Sequence, residues 1–405
     1  MNIYQFISSR IRHVRKDSFT YLVRNIAIAS IAIGLAFIIV SFGILEGFKK
    51  RIKEKIFSFG AHIQVSRHDI SRSYEESPFP KHTDLYDHPS KIGEIAHIQV
   101  YSKKAGLLKT DEEVNGVIVK GIGKDFSFSR FKNNIVEGRF LTLPDSGYSR
   151  EIMISKRIAN KMRLSIGDSV MIFFVQNPPR YRKLLIKGIY ETGLEEFDDL
   201  IILGDIRLLQ KINNWNEELI GGYEIFLKDF STLTTASEKV FEAMDYDMQL
   251  EKITDRYIQI FDWLALLNRN VAIFLVLILF VASFNMVSTL FIMIMERTRM
   301  IGILKAFGAT DGQIRGVFWY NGIFIILKGM LWGNIAGIGF CLVQYYFKII
   351  PLDPENYYMS SVPIEWNFEV LGLINLMTFT LIALVMFIPV FVISKIKPVK
   401  SIKFS

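Results

Sequence analysis

Residues 270–295 read NVAIFLVLILFVASFNMVSTLFIMIM, and these 26 consecutive residues contain no Asp, Glu, Lys or Arg. A helix needs about 20 apolar residues to cross the hydrocarbon core of a bilayer. Three further stretches meet this requirement, and the second of them is interrupted only by Lys328: 25–45, 316–347 and 370–394. The sequence therefore predicts a membrane protein with four transmembrane helices.

Basic residues near the ends of the spans indicate how the chain is oriented. The side that holds both chain ends carries thirteen nearby Lys and Arg residues, whereas the opposite side carries eight. Because Lys and Arg are enriched at cytoplasmic ends, we expect both termini in the cytoplasm. The basic run Lys49–Lys55 opposes this assignment, although regions attached to long translocated domains follow the rule less strictly. The first span is too long for a signal-peptide core and lacks a cleavage site, so we expect it to remain as an anchor.

The spans divide the chain into nine predicted segments. In chain order these are a cytoplasmic or interfacial amphipathic segment (1–24), the first span (25–45), an extracytoplasmic domain (46–265), the second span (270–295), a cytoplasmic loop (296–315), the third span (316–347), a short outer loop (348–369), the fourth span (370–394) and a cytoplasmic tail (395–405). Apolar residues recur at helical spacing among basic ones in 1–24, which is typical of an interfacial helix; a disordered basic tail is the alternative.

The domain inserted between the first two spans alternates strand and helix patterns. Strands are predicted at 61–66, 116–120, 151–155, 169–175, 183–190 and 222–227, and helices at 155–162, 205–212 and 233–244. The linker 176–182 contains two prolines, which have no backbone N–H to donate to a neighbouring strand. This linker should therefore protrude as a loop or hairpin tip. The acidic run 195–199 should be a solvated loop. The only cysteine, Cys341, lies in the third span, so this mixed α/β domain must be held together by its own core.

No set of residues in the sequence predicts catalysis. There is no H-E-x-x-H and no G-x-S-x-G motif. Gly116–Gly121 has the glycine spacing of a phosphate loop but lacks the Lys-Ser/Thr that must follow. His82 and His88 flank two aspartates in a Pro-rich loop, where solvation is favoured over metal binding. We expect a chain that is not an enzyme and binds no cofactor or metal; its net charge of +8 is explained by anionic lipid and requires no nucleic acid.

The cytoplasmic loop is the most informative segment. After the second span the sequence continues ERTRMIGILKAFGATDGQ over residues 296–313. The pattern predicts that the helix of the second span continues past the membrane with Ile301, Leu304 and Phe307 along one side. Gly308 suits a left-handed C′ position, and Thr310 with Gln313 forms a capping-box pattern that starts the next helix. A short helical elbow of this kind, here residues 296–313, would dock into a groove on another protein or, alternatively, face lipid.

Three segments carry a resemblance to a known family. Residues 282–289 leading into 296–310 resemble the FtsX/MacB-type ABC permeases, and in particular the lipoprotein-releasing permeases of the LolC/LolE type. Residues 351–363 (PLDPENYYMSSVP) are similar to the short external loop of those permeases, and 43–48 (GILEGF) to the outer end of their first span. The first motif is shared across the superfamily, whereas the second is more specific.

The resemblance implies partners and a mechanism. Two permease chains, identical or different, would associate with two copies of a cytosolic ABC ATPase in the bacterial inner membrane, and that ATPase would use the ATP. The elbow would be the coupling helix, with contacts from Glu296, Arg297, Arg299, Ile303, Ala306, Gly308 and Ala309. The α/β domain would be a MacB-like periplasmic core of two subdomains. Lipoprotein substrates would be moved by mechanotransmission and handed to a periplasmic chaperone at a hairpin formed by Asn177, Pro178, Pro179 and Arg180.

Two polar residues within the spans are candidates for a substrate cavity. Asn285 shares a helical face with Ser288 and Thr289, a spacing that usually serves helix packing. Lys328 lies near the middle of the third span, where an ammonium costs at least about 2.5 kcal/mol, so we expect it to face the bundle or a wet cavity, or to snorkel. For both residues a structural role is the alternative to lining the substrate path.

Three other functions remain alternatives at this stage. An FtsX-like regulator would use ATP hydrolysis in its partner to activate a cell-wall hydrolase without transport. A MacB-like exporter of drugs or peptides usually carries a fused ATPase, which this sequence lacks. A catalytic extracytoplasmic domain is the least favoured.

Overall fold

The computed structural model describes residues 19–68, 76–110, 113–353, 357 and 359–392. Most of the predicted segment 1–24, the tail 395–405 and part of the outer loop 351–363 therefore lie outside the described residues. The chain divides into two compact units. Among the described residues, one unit contains those within 1–51, 263–352 and 360–405, and the other contains those within 52–262 and 353–359.

The helices of both units are numbered in chain order. They are α1 (Phe19–Phe59), α2 (Asp84–Asp87), α3 (Phe128–Phe131), α4 (Lys156–Met162), α5 (Glu195–Asp198), α6 (Ile206–Asn213), α7 (Leu233–Ala243), α8 (Ile253–Arg256), α9 (Ile258–Glu296), α10 (Thr298–Ala306), α11 (Asp311–Phe347) and α12 (Phe368–Val392). Four of them, α1, α9, α11 and α12, are long and apolar enough to cross a membrane, as the four apolar stretches predict.

Close packing in the helical unit depends on glycines. Gly329, Gly333 and Gly337 recur every fourth residue on α11 and face α1. A Cβ on Gly333 would lie 2.9 Å from the carbonyl oxygen of Ala32, so the two backbones approach as closely as small residues allow. On the other side of α11, Asn334 and Asn375 of α12 exchange side-chain hydrogen bonds of 2.7 and 3.1 Å. Small residues and polar pairs thus fix the positions of these helices.

The strands of the other unit are also numbered in chain order. They are β1 (Ile63–Arg67), β2 (Phe79–Pro80), β3 (Ile95–Lys109), β4 (Val114–Ile122), β5 (Ile135–Gly138), β6 (Glu151–Ser155), β7 (Ser169–Phe174), β8 (Arg180–Tyr190), β9 (Ile201–Asp205), β10 (Leu219–Ile220), β11 (Gly222–Leu227) and β12 (Met248–Lys252). Ten of them form one sheet in the order β12-β1-β11-β3-β4-β9-β6-β8-β5, with β7 paired to β3 and β8, while β2 and β10 pair separately.

The long strand β3 connects the two ends of this sheet. Its first half pairs with β11, and its second half pairs with β4 and β7. A core of apolar side chains from β4, β6 to β9, α4 and α6 covers the second half; it includes Val119, Ile154, Ile186 and Leu208. The unit is therefore the mixed α/β domain that the sequence predicts.

An ion pair lies inside this unit. Lys120 on β4 and Glu224 on β11 are both almost completely buried, and Lys120 Nζ lies 2.7 Å from Glu224 Oε1. Gln99, on the strand between them, donates to the second carboxylate oxygen at 2.8 Å. Because an unpaired charge at this depth would be strongly destabilising, the pair requires these strands to stay in register.

Each of the six predicted strands overlaps an observed strand, namely β1, β4, β6, β7, β8 and β11. β6 and β11 have the predicted bounds, 151–155 and 222–227. The predicted linker 176–182 is shorter in the structure, because Arg180, Tyr181 and Arg182 pair with Phe174, Phe173 and Ile172. The acidic run forms the helix α5 over 195–198 and not a loop; Glu195, Glu196 and Asp199 are exposed as predicted, whereas Asp198 is buried. Burial raises the pKa of Asp198, although its carboxylate accepts hydrogen bonds from the amides of Thr192 and Gly193.

Candidate functional site

The elbow between α9 and α11 begins with a break in the helix. α9 ends at Glu296, and Arg297 leaves helical geometry with φ −101° and ψ 13°. Thr298 starts α10, and its Oγ1 donates to the carbonyl oxygen of Met295 at 2.7 Å. The prediction of one continuous helix past the membrane is therefore wrong. A separate helix of nine residues follows α9.

The end of the elbow has the predicted geometry. Gly308 has φ +89°, a conformation that side-chain-bearing residues rarely adopt. Its amide donates to the carbonyl oxygen of Lys305 at 3.0 Å. Thr310 and Gln313 form a complete capping box, in which each side chain accepts from the other's backbone N–H, and α11 starts there. The turn is thus defined by hydrogen bonds at both of its ends.

The apolar side chains of the elbow separate into an inner and an outer set. Ile301 is completely buried and packs into a core formed with α1, α9, α11 and α12. Phe307 is 87% exposed and Ile303 is 44% exposed. The expectation that Ile301, Leu304 and Phe307 share one face is therefore wrong for Phe307, while Leu304 is half-buried. Ile301 anchors α10, whereas Phe307 and Ile303 project from it.

Charged residues at the start of the elbow are accessible as well. Glu296 and Arg299 are exposed, and Arg297 is half-buried. Ala306 and Gly308 are exposed and Ala309 is half-buried, so the backbone is accessible beside Phe307. An exposed aromatic side chain among charges suits a protein groove, because aromatic anchors contribute most to interface energy. Phe307 is not among the contact residues that the resemblance implies, although an aromatic residue directly before the C′ glycine of a short helix is visible in the sequence.

The hairpin between β7 and β8 is short, and hydrogen bonds hold its base against α6. Its tip comprises residues 175–179. Arg180, which was expected at the tip, is the first residue of β8, and its guanidinium donates to the carbonyl oxygens of Lys211 and Ile212 at 3.1 and 2.7 Å. Val175 and Tyr181 are 67% and 61% exposed at the base. The accessible apolar surface of this hairpin therefore lies beside the prolines.

The two polar candidates in the spans lie in different environments. Asn285 on α9 donates to Ser30 Oγ on α1 at 2.7 Å, so it contributes to helix packing. Lys328 lies on an exposed face of α11, and its Nζ stands over the Phe324 ring at 4.9 Å. The structure therefore does not bring the two residues together.

Within the described ranges, no group of three or more His, Cys, Asp and Glu side chains is arranged to hold a metal ion. In the Pro-rich loop, His82 Nδ1 lies 2.8 Å from Asp87 Oδ1, and His88 Nδ1 lies 3.2 Å from Asp84 Oδ1. These contacts are exposed to solvent, and contacts of this kind contribute little to stability.

Known proteins match both units. The family described as MacB-like periplasmic core domain matches residues 26–240, and the family described as FtsX-like permease C-terminal matches residues 272–398. The lipoprotein-releasing system transmembrane protein LolC of Xylella fastidiosa is 21% identical over 410 residues, which cover 97% of each chain. LolC of Buchnera aphidicola is 26% identical and covers 90% of this chain and 89% of its own. LolE of Haemophilus influenzae is 21% identical over 90% of each chain.

Proposed function

We propose that this chain, which belongs to the MacB-like periplasmic core domain family, is the permease subunit of an ABC transporter that releases lipoproteins from the bacterial inner membrane toward the outer membrane. The observation that carries the proposal is the match to a lipoprotein-releasing transmembrane protein over 97% of both chains. A match of this extent includes the helical unit, the elbow and the α/β unit.

The elbow is the contact with a cytosolic ATPase. Ile301 fixes α10 to the helical core while Phe307 and Ile303 remain outside it. A nucleotide-binding subunit that receives Phe307 in a groove would push on α10, and the buried Ile301 would pass that displacement to the spans. Two ATPase copies and a second permease chain, identical or related, complete the transporter. This chain supplies no catalytic residue and binds no nucleotide.

The α/β unit is the part of the chain that acts on the cargo. We place it outside the membrane, between the first and second spans, with both termini in the cytoplasm. Its two subdomains correspond to the two ends of the sheet, one around β1, β11 and β12 and the other around β4 to β9, with β3 common to both. ATP-driven movement of the spans would change the position of this unit and so act on cargo.

The hairpin tip is the proposed contact with a periplasmic lipoprotein chaperone. Asn177, Pro178 and Pro179 form the tip, and Arg180 holds its base against α6. Proline lowers the entropy cost of ordering a loop on binding. The exposed side chains of Val175 and Tyr181 add apolar surface beside it.

The exposed face of α11 around Lys328 is the proposed border of the substrate path. An ammonium facing lipid in mid-membrane is costly, whereas a wet path or a second permease chain would solvate or pair it. Membrane lipid and the lipoprotein acyl groups are the apolar neighbours expected there. Asn285 is not part of this border, because its side chain donates to Ser30 on α1.

Depletion of the chain tests the function. Mature outer-membrane lipoproteins should accumulate in the inner membrane when the chain is depleted, as measured by membrane fractionation and immunoblotting. Normal delivery of lipoproteins without the chain would rule the proposal out. Arrest of cell-wall hydrolysis with normal lipoprotein delivery would instead identify a regulator.

A further inference from the structure

Two motifs that carry the family resemblance meet in the helical unit, although the proposed function uses neither. Residues 43–48 lie on α1, and residues 351–363 lie in the loop between α11 and α12, far away in the sequence. A Cβ on Gly47 would lie only 2.5 Å from the carbonyl oxygen of Pro363. The backbone of the loop therefore lies directly against the backbone of α1, at a distance that glycine permits at position 47.

Polar contacts hold the same loop on α1. The amide of Glu365 donates to the carbonyl oxygen of Gly43 at 3.1 Å, about one helical turn before Gly47. Glu365 Oε1 also lies 2.6 Å from Lys50 Nζ, about one turn after Gly47. Between these contacts Ile364 is 7% exposed and packs into a core with side chains of α1, α9, α11 and α12. The loop is therefore attached to α1 by backbone, charged and apolar contacts.

The loop is also attached to the end of α11, through one buried side chain. Gln344 is 2% exposed, and its Nε2 donates to the carbonyl oxygens of Val362 and Ile350 at 3.0 and 3.4 Å. Its Oε1 accepts from the Ile350 amide at 3.0 Å. The Val362 amide donates to the Ile350 carbonyl oxygen at 3.1 Å, so Gln344 holds both arms of the loop where they pair.

The two helices that this loop joins lead to opposite ends of the proposed mechanism. α11 runs unbroken from Asp311, directly after the elbow, to Phe347, and Gln344 lies in its last turn. α1 runs unbroken to Phe59, whose ring packs on those of Tyr190 and Phe197 in the α/β unit, with centroids 5.8 and 4.6 Å apart. A displacement of α11 that reaches α1 is therefore carried into the aromatic core of the α/β unit.

Directional contacts distinguish the loop from the glycine packing between the same two helices. Gly329, Gly333 and Gly337 bring α11 against α1 through van der Waals contacts, which have no preferred direction. The loop adds hydrogen bonds and an ion pair, which fix α1 along its axis. We propose that the loop between α11 and α12 transmits the displacement of α11 to α1, with Gln344, Gly47 and Glu365 as positioning residues. This role rests on the proposed function, since the ATPase displaces the elbow.

A double-variant comparison on the chain alone tests whether the loop joins the two helices. Gln344→Met keeps the length of the side chain but removes its hydrogen bonds, and Gly47→Ala places a Cβ against Pro363. Both changes should detach the same loop, so the second should cost little once the first is present. The unfolding midpoint in detergent micelles should therefore fall less in the double variant than the sum of the two single losses. Additive losses would overturn the role of the loop.

Movement of the α/β unit tests the transmission itself. Nitroxide labels are placed at Gly372→Cys on α12 and at the exposed Glu238→Cys on α7, with the second permease chain unlabelled; Cys341 is buried. Pulsed electron paramagnetic resonance then measures the label separation in the complex with the ATPase, with and without ATP. The wild type should show an ATP-dependent shift, and Gly47→Ala and Gln344→Met should lose most of it while recovering the ATPase normally.

A matched control and a rescue separate transmission from loss of structure. Gly43→Ala changes the same face of α1, but its Cβ would meet Cys341 Sγ at an ordinary contact distance of 3.5 Å, so the shift should be retained. Lys50→Glu sets two carboxylates against each other and should reduce the shift. Adding Glu365→Lys restores an opposite-charge pair and should recover it.

The possible results separate the role of the loop from the transport function. A full shift in Gly47→Ala and Gln344→Met, no shift in the wild type, or no recovery with the exchanged charges would each overturn transmission through the loop. Failure of the wild type to bind any ATPase would overturn both proposals. The label experiment contains no lipoprotein, so normal lipoprotein delivery in depleted cells would reject the transport function alone.

Discussion

Lys305 Nζ lies 2.8 Å from Asp311 Oδ1, and this ion pair joins α10 to the first turn of α11 across the turn at Gly308. The Lys305 side chain is 11% exposed, so solvent screens the pair less than it screens surface pairs. With the capping box at Thr310, the pair holds the elbow in one geometry. If Phe307 contacts the ATPase as we propose, binding would therefore cost little conformational entropy in the elbow.

Removing the exposed aromatic side chain should weaken ATPase binding. Phe307→Asp should reduce co-purification of the ATPase about tenfold or more, because aromatic anchors at interfaces carry about 2 kcal/mol or more. Thermal stability of the permease should change little, since Phe307 is 87% exposed. Phe241→Asp is the matched control on α7, where Phe241 is 65% exposed. Equal ATPase recovery with both variants would contradict the docking role of Phe307.

The turn at Gly308 should tolerate asparagine but not proline. Proline fixes φ near −65° and has no N–H, so Gly308→Pro conflicts with φ +89° and loses the bond to Lys305. ATPase stimulation should be lost in this variant while membrane insertion continues. Gly308→Asn should retain most of the stimulation, because asparagine is accepted at C′ positions. Full stimulation in the proline variant would show that the elbow geometry is not required.

Glycine packing between α11 and α1 should be sensitive to a single methyl group. Gly333→Ala would place Cβ 2.9 Å from the Ala32 carbonyl oxygen, and we expect a loss of about 1–3 kcal/mol in the free energy of unfolding. Gly339→Ala on the same helix is the control, because a Cβ there meets nothing within 4 Å. Unfolding in mixed detergent micelles measures both. A loss for Gly339→Ala as large as that for Gly333→Ala would contradict the packing described here.

Stability of the α/β unit should depend on pH through His62. Its Nδ1 accepts from the Leu227 amide at 2.8 Å, so the neutral ring is the form that fits. Burial, and to a lesser extent Arg130, lowers the pKa of His62 to about 4. The folded-state pKa lies below the unfolded value of about 6.5, so this contribution is complete above pH 6.5 and is lost as the pH falls toward 4.

The variant His62→Asn isolates that contribution, because it offers Leu227 an acceptor that does not titrate. Between pH 4 and 6.5 the free energy of unfolding of the wild type should rise relative to the variant by about 3 kcal/mol, measured by urea unfolding of the full chain followed by circular dichroism. The comparison with the variant is needed because burial raises the pKa of Glu76 to about 7. In this pH range Glu76 makes the free energy of unfolding fall as the pH rises, which is opposite to the effect of His62. Parallel profiles for wild type and variant would contradict the role of His62.

The four spans and the capped turn were predictable because each depends on local sequence. Hydropathy identifies the spans, and Gly308, Thr310 and Gln313 carry their own conformational preferences. The strand β3 was missed because Lys103, Lys104 and Gly106 interrupt its alternation. It is a strand because its pairings with β4, β7 and β11 override these local preferences.

Features that depend on exact backbone geometry were not predictable from the sequence pattern. Asp198 can be buried because the backbone amides of Thr192 and Gly193 donate hydrogen bonds to its carboxylate. The charge pattern of the sequence does not reveal these hydrogen bonds. The break at Arg297 places Ile301 inside and Phe307 outside, a division that a continuous helical stripe does not anticipate.

The most direct measurement is lipoprotein release in a purified system. The chain, its ATPase and a second permease chain, if one is required, are reconstituted in liposomes with a fluorescent triacylated lipoprotein, and transfer to a soluble chaperone is measured with ATP. Release should require both ATP and this chain, and Phe307→Asp should reduce its rate about tenfold or more, in line with the loss of ATPase binding. ATP hydrolysis without release of lipoprotein, or release that proceeds equally without this chain, would contradict the account.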